Sequence, residues 1–235
     1  MLDTAVVIAG GKGLRLGPET SDKPKAMLQL LGRPLIDWII LWLKKNGVRT
    51  VIVSVDYKKE TLIGHLGDGG ALGVRVKFND HSGAVETGDA FRSALENQDL
   101  PEIFVALNGD QITDLSIQEA LAVHQRHQPI ATVVTCPVRI PYGILTITRE
   151  NKVEAFREKP ILPDTLMNTG IYIFNKSILP HLPRNGSIEK ETFSKLAQLG
   201  ELRSYTHRGF FTTINDHKDL TEAHNLLKNI QAELL

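Results

Sequence analysis

Three stretches constrain the fold of this chain more than anything else in it. Residues 4–9, 50–55 and 103–107 are rich in Val, Ile, Leu and Ala along their length instead of alternating apolar with polar. A strand that is apolar on both faces must be covered on both faces, which is the habit of a parallel sheet sandwiched between helices. The segments between them supply the helices. Pro34 opens one that Lys44-Lys45-Asn46-Gly47 closes, and others are expected near 58–66 and 87–97, with a further strand at 74–78. The second half is richer in strands, at 130–138, 143–147, 152–157 and 169–174, before helices near 188–199 and 217–234. No linker, repeat or low-complexity tract interrupts the pattern, so residues 1–235 are read as a single α/β domain.

In open α/β sheets ligands bind at the carboxyl ends of the strands, so the residues that follow each strand carry the functional reading. The first strand runs straight into Gly10-Gly11-Lys12-Gly13-Leu14-Arg15-Leu16, and Lys23-Pro24-Lys25 comes shortly after. Glycines let backbone N–H groups close on phosphate oxygens, because no Cβ intervenes and positive φ costs little. Arg15 and Lys25 add fixed positive charge for the same anion. Neither the Walker loop nor the dinucleotide fingerprint fits, since Leu16 stands where the latter needs its third glycine and Gly17 comes one place late. A glycine-rich turn of no chemical consequence is the alternative, and the cations weaken it. The expected ligand is a nucleoside triphosphate.

Composition removes other classes. With 27 Lys plus Arg against 27 Asp plus Glu, no global field favours nucleic acid and no polybasic run favours a membrane surface. An apolar content of 42% with 23% charged residues suits an ordinary globular enzyme. No signal peptide or long apolar span is visible, and the single Cys136 cannot form an internal disulfide, so a cytoplasmic location is expected.

Ile8-Ala9-Gly10-Gly11-Lys12-Gly13-Leu14-Arg15-Leu16, Pro24-Lys25-Ala26-Met27-Leu28 and Gly32-Arg33-Pro34-Leu35-Ile36 together resemble the opening motifs of the sugar-1-phosphate nucleotidyltransferases, the NDP-sugar pyrophosphorylases. Leu14 and Ala26 depart from the usual Thr and Pro without removing a charge. The resemblance extends over nearly the whole chain. It implies a three-layer α/β/α nucleotide-diphospho-sugar transferase fold, with a mostly parallel central sheet and a Rossmann-like N-terminal half. The nucleotide half would cover about 1–115 and the sugar-phosphate half about 116–235. Ala9, Gly10, Gly11 and Gly13 would meet the nucleotide, with Arg15 and Lys25 catalytic. Val85-Glu86-Thr87-Gly88-Asp89-Ala90 resembles the family segment near the base, which puts Glu86, Thr87 and Gly88 there; a helix start capped by Thr87 is compatible with this.

Asn108-Gly109-Asp110 follows the strand at 103–107. A carboxylate there could share Mg²⁺ with phosphates, or simply favour a turn; the resemblance implies the metal ligand. The family's second metal carboxylate falls, by counting back from Asp219, on Thr213, and by another family pattern on Asn215, with Asp216 one residue on. Asp110 and Asp216 are therefore the expected metal ligands, with Asn215 an alternative.

Tyr142-Gly143, Glu158-Lys159-Pro160 and Asn168-Thr169-Gly170-Ile171-Tyr172 resemble the family's sugar-side motifs. Gly143, Glu158, Lys159, Asn168 and Gly170, together with Asn108, would hold the sugar 1-phosphate, carboxylate and amide groups on hydroxyls and Lys159 on phosphate. The resemblance thus implies Mg²⁺-dependent transfer of a nucleotidyl group from an NTP to a sugar 1-phosphate; nucleotidyl transfer to a non-sugar phosphate and sugar-nucleotide binding without catalysis are the alternatives. The cues for base and sugar conflict. The eight histidines show no metal-ligand spacing and receive no role. Residues 35–43, with Trp38 and Trp42, are apolar on nearly every side, which suggests deep burial or a homodimer interface.

Overall fold

The structure is a computed structural model that describes residues 2–84 and 86–234; Val85, within the base-side motif, lies outside the described residues. From the N-terminus the chain runs through β1 (Thr4–Ile8), two short strands β2 (Gln29–Leu30) and β3 (Arg33–Pro34), α1 (Leu35–Lys45), β4 (Thr50–Val55) and α2 (Lys59–Leu66). β5 (Arg75–Asp80), α3 (Thr87–Asn97), β6 (Ile103–Asn108), β7 (Gln111–Thr113) and α4 (Ile117–His127) complete the first half. The second half contains β8 (Ala131–Arg139), β9 (Ile144–Ile147), β10 (Val153–Arg157) and the long β11 (Ile161–Asn175). A π-helical segment, Ile188–Phe193, leads into α5 (Ser194–Gln198), followed by β12 (Leu202–Thr206), β13 (Phe211–Thr213) and α6 (His217–Leu234).

Seven strands form one sheet in the order β12-β8-β11-β6-β1-β4-β5, which spans both halves of the chain. Neighbours are parallel except at β11, which runs antiparallel to both β6 and β8. This is the mostly parallel α/β sheet expected. The continuous apolar runs are buried as their composition demands: Val6 and Ile52 face one layer, Val7 and Val53 the other. On one face α1 fills the core, while on the other Phe91 of α3 packs edge-to-face on Phe174 of β11, with ring centroids 5.7 Å apart.

α1 resolves the choice its sequence left open. Trp38 and Trp42 are buried, and their indole N–H groups donate to the carbonyls of Leu30 and Leu115, each at 2.9 Å. The helix is apolar all round because the chain itself surrounds it, so it provides no argument for a homodimer.

Register places the site. Ile8 pairs with Ser54 on one side and Asn108 on the other, and Ser54 pairs with Asn79. The glycine loop, Gly109-Asp110 and Asp80-His81 therefore leave the sheet at one level, at its carboxyl edge. β7 and β13 pair antiparallel beyond that edge, and the Ile214 N–H donates to the Asp110 carbonyl at 2.9 Å, which draws the start of α6 to the end of β6.

Candidate functional site

The loop after β1 is shaped by the residues its sequence predicts. Gly13 sits at φ +64°, where a β-carbon would be strained and would also stand 3.0 Å from Thr20. The Thr20 hydroxyl donates to the Gly13 carbonyl at 2.9 Å, and the Lys25 N–H to the Gly11 carbonyl at 3.1 Å, which folds the Pro24-Lys25 segment back under the loop. Gly10 answers a different need. A Cβ there would lie 2.6 Å from His81 Nε2 and 2.7 Å from Asp56, so the imidazole rests directly on the loop backbone.

The charged groups converge at the loop's far end. Lys25 Nζ lies 2.6 Å from Asp110 Oδ2 and donates to Asn215 Oδ1 at 3.2 Å, while Arg15 Nη2 reaches the same oxygen at 3.3 Å. The Lys25 and Asp110 side chains are 12% and 24% exposed, so this ion pair is half-sheltered from solvent screening yet open to a ligand. Gly11, Lys12, Gly13, Leu14, Arg15, Lys25, Asp110 and Asn215 line a single cleft. Arg15, Lys25, Gly11, Gly13 and Asp110 are thus brought together.

Asp216 is not oriented toward that cluster. Its Oδ1 accepts the N–H groups of Lys218 and Asp219, each at 2.9 Å, so it caps α6. The Asp219 N–H holds its carboxyl below the usual range, with further help from Lys218 and Arg15. Asn215 turns its amide oxygen inward instead, fixed by its own N–H donating to Asp219 Oδ2 at 2.8 Å. Sequence spacing pointed at this turn, but a carboxylate and an amide one residue apart cannot be ranked until the cap is seen. Thr213 lies in β13, paired with Gln111. Among the described residues no group of three or more His, Cys, Asp or Glu side chains could hold a metal.

The base-side and sugar-side residues form separate groups. Thr87 is the first residue of α3 and not its cap; Glu86 takes that place, its N–H donating to Asp89 Oδ1 at 2.9 Å. The Thr87 hydroxyl instead donates to Glu189 Oε2 at 3.1 Å, and the Gly88 N–H donates to the Gly186 carbonyl at 3.1 Å. Asn108 and Asn168 gather around Gly170, where the Asn168 Oδ1 accepts the Gly170 N–H and its Nδ2 donates to the buried Tyr172 hydroxyl at 2.9 Å. Gln111 joins them, and its Oε1 is buried without a hydrogen-bond partner among the described residues. Gly143, Glu158 and Lys159 lie on and beside the β9–β10 hairpin, with Gly143 packed on Phe156 and Glu158, and with Lys159 Nζ 3.8 Å from Glu158 Oε1, both side chains more than half exposed.

Two of the histidines, His124 and His207, are tied into the fold. His124 Nδ1 and the Thr132 hydroxyl are 2.9 Å apart, and burial holds the imidazole down to about 4. His207 Nε2 lies 2.8 Å from Asp114 Oδ1. His81 differs, since it borders the glycine loop, and nothing in its sequence spacing marked it.

A nucleotidyl transferase family model matches residues 4–229. The mannose-1-phosphate guanylyltransferase catalytic subunit beta of Dictyostelium discoideum is 31% identical over 241 residues, covering 98% of this chain and 67% of the relative. The UTP–glucose-1-phosphate uridylyltransferase of Synechocystis is 29% identical, over 83% of this chain and 55% of its own length. This chain therefore spans between about half and two thirds of the curated relatives it matches. HddC from Yersinia pseudotuberculosis superposes with a TM-score of 0.75 at 24% identity, covering 96% of this chain and 100% of that one, a likeness of fold. With a cation-lined glycine loop at the carboxyl edge of the expected sheet and a family match over almost its entire length, the chain belongs to the nucleotidyl transferase family.

Proposed function

We propose that this protein transfers a nucleotidyl group from a nucleoside triphosphate to a sugar 1-phosphate, releasing pyrophosphate and an NDP-sugar. The single observation that carries the reading is the convergence of Arg15, Lys25, Asp110 and Asn215 beneath a glycine loop open to solvent. The relatives named as mannose-1-phosphate guanylyltransferase and glucose-1-phosphate uridylyltransferase support the same reaction class.

The chemistry follows from charge. An oxygen of the sugar phosphate attacks the α-phosphorus in line, a new P–O bond forms, and the bond from the α-phosphorus to the α,β-bridging oxygen breaks. The nucleophile is already an anion, so the site needs no general base, and positioning with charge neutralisation suffices. Backbone N–H groups of the loop and Arg15 would hold the triphosphate, while Lys25 stands at the transferring phosphoryl. Asn215 directs both cations to one point.

The donor set also fits a divalent metal. Mg²⁺ accepts one or two carboxylates and completes its shell with phosphate oxygens and waters. Asp110, with the amide oxygen of Asn215 beside it, would hold the ion, which when bound adds positive charge at the reacting phosphates. Asp110 shares its Oδ2 with Lys25, so that ammonium must yield part of its contact to a metal. A second reading, sugar-nucleotide binding without catalysis, draws on Thr213 and Asn215 at positions where a second carboxylate was expected. A cytoplasmic location belongs to the proposal and is tested by cell fractionation.

Pyrophosphate release from a panel of NTPs and sugar 1-phosphates decides between the readings. Release that requires both substrates and Mg²⁺ supports transfer. Tight NDP-sugar binding with no release under any pairing favours the binding protein.

A further inference from the structure

We propose that Glu189 is a positioning residue for the acceptor: it takes the proton of the Tyr172 hydroxyl and so fixes which way the Asn168 amide faces the sugar phosphate, an assignment that rests on the nucleotidyl-transfer reading. Tyr172 is fully buried and relays the effect without touching either substrate.

The first observation is place. The π-helical segment Ile188–Phe193 holds Glu189 between the start of α3 and the Tyr172 hydroxyl. Glu189 Oε2 accepts the Ser187 hydroxyl at 2.6 Å and the Thr87 hydroxyl at 3.1 Å, which leaves the carboxylate little freedom to turn. The Ser187 oxygen in turn accepts the Lys190 N–H at 3.3 Å, so its own proton is committed to Glu189. In β11 the register shifts between Asn168 and Tyr172, with Gly170 at φ +75°, and the two side chains meet across that irregularity. Asn168 and Glu189 line one cleft with Thr135, Phe193 and Ser204. The Tyr172 ring lies behind them, stacked on Phe174 with centroids 5.2 Å apart.

The second observation is direction. The Gly170 backbone N–H can only donate, and it meets Asn168 Oδ1 at 2.8 Å. Asn168 Nδ2 is then the atom that meets the Tyr172 oxygen, at 2.9 Å, and it too can only donate. The phenol proton must therefore leave on the other side, where the Glu189 carboxylate accepts it. Burial raises the Tyr172 hydroxyl above its ordinary value, the Asn168 hydrogen bond opposes this, and the charge of Glu189 adds to the rise, so both groups act on the same phenol. An amide nitrogen carries two protons, and the second one on Asn168 is left for the cleft. That donor suits a sugar hydroxyl or a phosphate oxygen. Without Glu189 the phenol proton competes with the Gly170 N–H for Asn168 Oδ1, and the amide loses its fixed direction.

Steady-state kinetics with the NTP and sugar 1-phosphate that give the fastest pyrophosphate release provide the test. Tyr172→Phe and Glu189→Ala should each raise KM for the sugar phosphate roughly tenfold, the scale of one lost polar contact, and Tyr172→Phe should move KM for the NTP by less than about threefold. Because Glu189 acts through Tyr172, the double variant should repeat the roughly tenfold rise and not reach about a hundredfold. Glu189→Gln keeps an oxygen for the phenol proton and should hold KM within about threefold of wild type. A hundredfold double variant would make Glu189 a direct ligand and overturn the assignment. So would an unchanged sugar-phosphate KM in Tyr172→Phe, an equal rise for both substrates, or a loss in Glu189→Gln as large as in Glu189→Ala. Should Glu189→Ala fail to fold, Tyr172→Phe and Glu189→Gln still decide. Absence of turnover by the wild type with every substrate pair is a different failure, one that removes the transfer reading and this assignment with it.

Discussion

The two flanks of the sheet are built on different principles. On the side proposed for the nucleotide, β1, β4, β5 and β6 are parallel, the first, second and fourth of them largely buried with β5 at the edge, and the site residues sit on short turns that leave them at one level. On the side proposed for the sugar phosphate, the β9–β10 hairpin pairs, among the described residues, only with itself, and Leu145, Ile147, Val153 and Phe156 are each more than half exposed. The first flank places its cations through hydrogen bonds anchored in a rigid core. The second carries Glu158 and Lys159 on a two-stranded ribbon, which on its own is marginal in water. One half of the site is therefore preorganised, while the other is held by few contacts and is open to adjustment when a ligand arrives.

The largest expected effect separates core from ribbon. Phe91→Ala should destabilise by about 3–5 kcal/mol in urea melts, because its ring packs against Tyr172 and Phe174 across the sheet. Phe156→Ala should cost under about 1 kcal/mol; equal losses would erase the distinction between the flanks.

Next in size is the preorganised charge. Lys25→Ala should lower kcat/KM by roughly a hundredfold or more, about 2.7–4 kcal/mol of transition-state stabilisation. Wild-type turnover in this variant would break the proposed mechanism.

Acid sensitivity tests the packing around β8. His124 is neutral in the fold with its value near 4, against 6.5 for the free group. The unfolded chain binds the extra proton between those values, so stability should be full above about 6.5 and fall by about 3 kcal/mol as the pH drops toward 4. His124→Gln should flatten that slope in pH-dependent unfolding, and an unchanged slope would assign it to other groups.

Asp216 provides a smaller test. As a helix cap, Asp216→Ala should cost about 0.5–2 kcal/mol of stability and leave the Mg²⁺ dependence of turnover unaltered, whereas Asp110→Asn should abolish turnover. A shifted Mg²⁺ requirement in the Asp216 variant would return it to the metal site. Smallest in stability is Lys159→Ala, expected within about 0.5 kcal/mol of wild type, yet raising KM for the sugar phosphate well above any rise for the NTP. Equal effects on both substrates would remove Lys159 from the sugar flank.

The outline was legible in the residues because it depends on local and periodic signals. Continuous apolar runs at 4–9 and 103–107 required a covered parallel sheet, and Gly13, Arg15 and Lys25 marked the loop at whose end the structure gathers the two cations. α4, β7, β12 and β13 escaped notice, as did the antiparallel course of β11, since strand direction is fixed by connections and not by composition.

What the sequence by itself determined was the inventory: a sandwiched sheet, a glycine loop, two cations and one carboxylate at a strand's end. Only the tertiary structure decided how they were used. It buried the tryptophans of α1 within the chain, turned Asp216 onto its own helix and Asn215 toward Arg15 and Lys25, and laid His81 on Gly10 from two strands away. These outcomes depend on which groups satisfy one another's hydrogen bonds across long sequence separations, and linear spacing carries no record of that.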